Sequence, residues 1–128
     1  MSEFNSRHNR AVWFDIPVAD LGRAAAFYAS MLAIEVSLES FDGYAFAVLE
    51  HAEGNGGCLV PDAGAIRSDG GVLVYLTVDG RIRHAVGQVI ERGGSVLEPV
   101  HSIGPHGFRA IVLDSEGNRI ALHSETDA

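Results

Sequence analysis

The chain has 128 residues, 47% hydrophobic and 20% charged, which is the usage of one folded domain and excludes a disordered chain. Nine basic residues, all arginine, stand against 17 acidic ones for a net charge of −8, so a phosphate backbone or an anionic membrane surface is repelled and no nucleic-acid or membrane partner is expected. The lack of lysine removes Schiff-base chemistry and the single cysteine, Cys58, removes an internal disulfide; a polar opening and no apolar run longer than 24–29 point to a cytoplasmic protein.

The first expected element is a strand within 11–20, AVWFDIPVAD. Val12, Phe14, Ile16 and Val18 alternate and should pack under a helix, so Trp13, Asp15 and Pro17 point the other way. A helix follows over about 20–32, with Leu21, Ala24, Ala25, Tyr28, Met31 and Leu32 as its apolar stripe and Asp20 as its cap. Three strands over 34–39, 44–50 and 57–61 complete this half, the first two joined by an Asp42-Gly43 hairpin turn. In the third, Leu59 faces the helix and Cys58 and Val60 face away. Residues 63–70 form a linker.

The second half repeats the first. A strand within 71–79 turns Val72, Val74, Leu76 and Val78 toward a helix and Leu73, Tyr75 and Thr77 away from it. The helix spans about 81–92, with Ile82, Ala85, Val86, Val89 and Ile90 as its stripe and Gly93-Gly94 as its stop. Strands over 95–101, 108–114 and 119–124 follow; in the last, Ile120 and Leu122 face the helix while Arg119, Ala121 and His123 face away. Val18 and Val78 stand 60 residues apart, and Gly56 and Gly117 stand 61 apart, which marks an internal duplication. The fold class is therefore α+β: two βαβββ modules, about 10–62 and 71–124, forming curved mixed sheets around a cup in a single domain, 1–128.

The faces turned away from the helices hold the candidate chemistry. Trp13 and Tyr75 are large for a face that meets only solvent and suit a ligand cup. Asp15 reads either as a base or ligand anchor, its pKa raised by desolvation beside Trp13, or as a surface acid. His123 reads as an acid–base group or as a strand-end histidine bonded to backbone. Cys58 reads as a small buried hydrophobe unless a cation or a helix N-terminus activates it. His101 and His106 bracket HSIGPHG, which reads as a mobile lid or an ordinary surface loop.

Two stretches then carry a family likeness. Asp20-Leu21-Gly22-Arg23-Ala24-Ala25-Ala26-Phe27-Tyr28 matches D-L-x-R-A-x-x-F-Y, and Asp114-Ser115-Glu116-Gly117-Asn118-Arg119-Ile120-Ala121-Leu122 matches D-x-x-G-N-x-x-x-L. With the paired modules, they resemble the vicinal oxygen chelate superfamily over residues 10–124; it includes glyoxalase I, extradiol dioxygenases, fosfomycin-resistance enzymes and bleomycin-binding proteins. The phrasing is most similar to glyoxalase-like proteins of undefined reaction. The resemblance implies a homodimer whose cups lie within a chain or across the interface. It also implies metal ligands at four places, the first and last strands of each half, which align with Trp13, Leu73, Cys58 and Ala121. Of these only Cys58 carries a metal donor.

The resemblance thus implies a glyoxalase/bleomycin-resistance-like protein that binds a small hydrophobic or aromatic molecule without the usual metal and with no cofactor. Asp15 and His123 are its catalytic candidates, and Trp13, Tyr75, Cys58, Leu73, Ala121 and His106 its ligand-binding ones. The alternative is a metal-dependent lyase, isomerase or dioxygenase with off-pattern ligands drawn from Asp15, Cys58, His123 and His106. One further departure concerns backbone: where the family often ends its first helix with glycine, this chain has Ala33, which costs about 1 kcal/mol if left-handed.

Overall fold

The computed structural model describes residues 7–128; the first six residues of the polar opening lie outside the described residues. The first module runs β1 (Trp13–Val18), α1 (Leu21–Leu32), β2 (Val36–Phe41), β3 (Tyr44–Leu49) and β4 (Gly56–Pro61). The second runs β5 (Tyr75–Thr77), α2 (Ile82–Glu91), β6 (Ser95–Ser102), β7 (Phe108–Leu113) and β8 (Arg119–Ser124). Each module forms its own four-stranded mixed sheet, in the orders β1-β4-β3-β2 and β5-β8-β7-β6. In each, the first and last strands of the module pair in parallel and the remaining pairs are antiparallel. This is the duplicated α+β architecture that the sequence periodicity predicts.

One core joins the modules. Ala24, Phe27, Tyr28 and Met31 of α1 and Ile82, Ala85 and Val89 of α2 pack with Ile16, Val18 and Leu59 of the first sheet and Val112, Ile120 and Leu122 of the second. The side chains that alternate with these strand residues are therefore left on faces clear of the helices. Asp20 caps α1 as expected, its Oδ1 accepting from Arg23 N at 3.0 Å. Ala33 ends that helix at φ 56, ψ 49, so the left-handed position lacks the glycine it favours. Asp42 and Gly43, at φ 52 and 82, make the tight turn between β2 and β3.

Three details of patterning differ from the sequence reading. Phe27 lies outside the predicted stripe yet is buried, because α1 packs against α2 as well as against its own sheet; its ring reaches the backbone at Gly94, where a Cβ would stand 3.0 Å from Phe27 Cε2. Ile90 is 62% exposed, since it lies about 80° around the helix from Ile82, at the margin of the buried face. Val72 is 88% exposed rather than packed under a helix. Pairing of β5 with β8 begins only where Ala121 N donates to Val74 O at 3.0 Å; the next donor back, Arg119 N, is taken by Arg67 O of the linker at 3.2 Å. The residues before Val74 have no ladder to join.

The two sequence motifs meet across the seam between the modules. Arg23 of α1 grips Glu116 of the β7–β8 turn through Nε at 2.7 Å and Nη2 at 2.9 Å. Glu116 Oε1 also accepts from the amides of Ala19 and Asp20, at 3.0 and 2.8 Å. Asn118 Nδ2 donates to the Pro17 carbonyl at 2.7 Å. The D-L-x-R-A-x-x-F-Y and D-x-x-G-N stretches thus serve to dock one module on the other.

Candidate functional site

On the first sheet, the parallel register sets Asp15 of β1 beside Cys58 of β4. Their side chains share the face turned from the helices, and the Cys58 thiol donates to Asp15 Oδ1 at 3.2 Å. Trp13, two residues before Asp15, hydrogen-bonds the same sulfur. The structure therefore brings Trp13, Asp15 and Cys58 together. Cys58 is only 6% exposed while Asp15 is exposed, so Trp13 does not wall off the carboxylate. Burial first, and then the Asp15 carboxylate, push the Cys58 thiol up to about 11, with the Trp13 bond acting in the opposite sense. At neutral pH the sulfur is a thiol, which is a poor nucleophile.

A hollow of about 390 Å³ opens over this group, lined by Asp15, Cys58, Val60, Phe46 and Tyr44. Tyr44 stands at its rim, 74% exposed, beside the equally exposed Phe41 across the β2–β3 hairpin. His51, which the sequence reading passed over, lies edge-on to Trp13 with ring centroids 5.4 Å apart. Its Nδ1–H donates to Gly54 O at 2.9 Å, and a Cβ on Gly56 would stand 2.8 Å from its carbons, which accounts for glycine there. His51 also lines a larger cleft, of about 630 Å³, with Phe14, Leu49 and Gly57 of the first module and Tyr75 and Thr77 of the second. Among the predicted site residues, Tyr75 alone lines that cleft.

On the second sheet, Tyr75 of β5 and Arg109 of β7 reach over the intervening β8, where Arg109 Nη1 donates to the Tyr75 hydroxyl at 2.7 Å. Ala121 lies opposite both Tyr75 and Ile111 in the ladder and is wholly buried on this face, so the bridge closes over a residue too small to obstruct it. Arg109 Nε donates to His101 Nε2 at 3.2 Å, and His101 Nδ1–H donates to Pro99 O at 2.8 Å. Those partners fix the His101 tautomer, since a carbonyl only accepts and a guanidinium only donates. His123 Nε2–H donates to the His106 carbonyl at 2.6 Å, the strand-end arrangement, while the His106 residue itself is exposed. Leu73 precedes β5 and is half-buried. Arg109 is not among the residues the sequence singles out; the β7–β8 register sets it opposite His123, on the face it shares with Ile111.

The donor set at the four expected metal positions does not fit a divalent ion. Trp13, Leu73 and Ala121 offer no donor, which leaves Cys58 as a single ligand. The off-pattern candidates divide between sheets, Asp15 and Cys58 on the first, His123 and His106 on the second, and among the described residues no group of three His, Cys, Asp or Glu could hold a metal.

No protein-family model and no curated protein matches the sequence. Solved structures do match. A hypothetical protein, SA1046, from S. aureus is 18% identical with a TM-score of 0.70, over 91% of this chain and 94% of that one. A glyoxalase/bleomycin resistance protein from Albidiferax ferrireducens is 18% identical with a TM-score of 0.68, over 91% and 99%. The genomically encoded fosfomycin resistance protein FosX from Listeria monocytogenes is 13% identical with a TM-score of 0.68, over 91% and 93%. The chain has the fold of the glyoxalase/bleomycin resistance/dioxygenase proteins, that of the vicinal oxygen chelate superfamily. No helix among the described residues is long and apolar enough to cross a membrane.

Proposed function

We propose that the protein binds a small hydrophobic or aromatic molecule in its cup, without a metal and without a cofactor. The observation that carries this reading is the hollow over Asp15 and Cys58, whose walls are the aromatic and apolar side chains of Tyr44, Phe46 and Val60. Trp13 and Tyr75 offer flat apolar surface to the ligand, and Asp15 and His123 offer polar contacts that orient it. The protein works as a homodimer in the cytoplasm. The dimer reading is supported by β1 and β5 standing at the edges of their sheets, and by Phe41, Tyr44 and Tyr75 exposed on the open side. The sheet of one copy then closes over that of the other.

Trp13 is the only tryptophan and bonds the Cys58 sulfur that lines the hollow, so its fluorescence reports on that group. Titration with a panel of small neutral aromatics should give a saturable change in Trp13 emission with at least one of them, lost in Tyr44→Ala. An emission spectrum that none of them alters, in protein shown to be folded, would count against the binding reading.

A further inference from the structure

We propose that the open face of the second sheet is a carboxylate-binding site, with the Arg109 guanidinium and the Tyr75 hydroxyl as its donors. Arg109 is half-buried on β7, and a guanidinium withdrawn from water needs an anion or a set of acceptors. Neither of its two partners is a carboxylate: they are the Tyr75 oxygen at 2.7 Å and His101 Nε2 at 3.2 Å. No carboxylate among the described residues lies within 4.0 Å of it. Glu98 Oε1 lies 3.9 Å from His101 Nε2, the atom that accepts from Arg109. In a chain with 17 acidic residues and nine basic ones, this cation has no carboxylate in direct contact.

The two contacts use Nε–H and one Nη1–H, so the other N–H groups of the guanidinium remain to be given. Tyr75 accepts from Arg109, which leaves its own O–H to donate. A planar fork beside a hydroxyl suits the two oxygens of one carboxylate. The fork is held in advance from both sides, since Tyr75 fixes one end and His101, anchored on Pro99 O, fixes the other. Little side-chain freedom is lost when the anion arrives. Arg119 stands on the same face of β8, toward its other end, and its Nε is buried with no hydrogen-bond partner among the described residues. The donors stand on the second sheet, apart from the hollow of the first, and Tyr75 is the residue they share with the ligand surface proposed above.

Calorimetric titration of the full-length protein with benzoate and with neutral benzamide separates the two sites. The expected result is that benzoate binds about tenfold or more tightly than benzamide, the worth of charge-assisted hydrogen bonds, and that Arg109→Gln erases the preference. Tyr75→Phe keeps the guanidinium and the ring and should weaken benzoate severalfold relative to benzamide, which tests the site even if Arg109→Gln does not fold. Equal affinity for the two probes, no benzoate binding at all, or benzoate binding unchanged in both variants would overturn the proposal. Benzamide quenching of Trp13 without any benzoate preference would sustain the hollow and reject the carboxylate site.

Discussion

The Tyr28 hydroxyl of α1 donates to Asp114 Oδ2 at the end of β7, at 2.6 Å, across the seam between modules. Both groups are buried. Asp114 also accepts from the amides of Glu116 and Asn118, at 2.8 and 2.9 Å, and from Asn118 Nδ2 at 3.0 Å. The carboxylate thus organises the β7–β8 turn and binds it to the opposite module. Tyr28→Phe removes one donor from a buried acceptor and should cost about 1–3 kcal/mol of stability. Asp114→Ala strands the phenol and releases the turn together, and should cost more. Urea unfolding of the two variants checks the order.

The neighbouring ion pair gives the protein an acid limb. The Arg23 guanidinium holds the Glu116 carboxyl down to about 2 from its ordinary 4.5; burial opposes this, and the amides of Asp20 and Ala19 and the Ser115 hydroxyl assist. A carboxyl depressed in the folded state stabilises it above the unfolded pKa, and this contribution is lost as pH falls through the folded one. The melting temperature should therefore drop between about pH 4.5 and pH 2. In Glu116→Gln the melting temperature should be lower at neutral pH and its decline across that window shallower.

Much of this was legible in the sequence, for definable reasons. Alternation in β1, β4 and β8 assigns faces correctly because each is paired along its length, so Cys58 and Asp15 are expected on one face and are found bonded there. It fails at Val72 because a strand pattern needs a partner, and the linker residue Arg67 has taken the donor that would supply one. It misses Phe27 because a stripe describes one packing face, whereas α1 has two. The Arg109–Tyr75 bridge joins residues 34 positions apart across a third strand, a relation that depends on strand order rather than on local pattern.

Ala33 offers a test of the backbone. Its left-handed conformation at the end of α1 is one that glycine adopts freely. Ala33→Gly should stabilise the protein by about 1 kcal/mol, net of the entropy glycine adds to the unfolded chain. Thermal unfolding of the variant should show a rise of a few degrees.

The raised Cys58 pKa predicts a sluggish thiol. Native protein at pH 7.5 should react with iodoacetamide far more slowly than urea-unfolded protein, since both burial and the thiolate fraction are against it. Asp15→Asn removes the carboxylate that helps raise the pKa and should speed the reaction at a given pH. A rate unchanged in Asp15→Asn would mean that access alone protects the sulfur.

The central claim is that the cup works without a metal, and the most direct test is the melting temperature of chelator-treated protein with Zn, Ni, Mn or Fe(II) added back. A metal at about 100 times its dissociation constant stabilises by about 2.7 kcal/mol, a shift of several degrees in a domain of this size. The account predicts no shift with any of the four, because Trp13, Leu73 and Ala121 give no donor and Cys58 alone makes one ligand. A shift of several degrees with one of them, abolished in Cys58→Ala or Asp15→Asn, would contradict it.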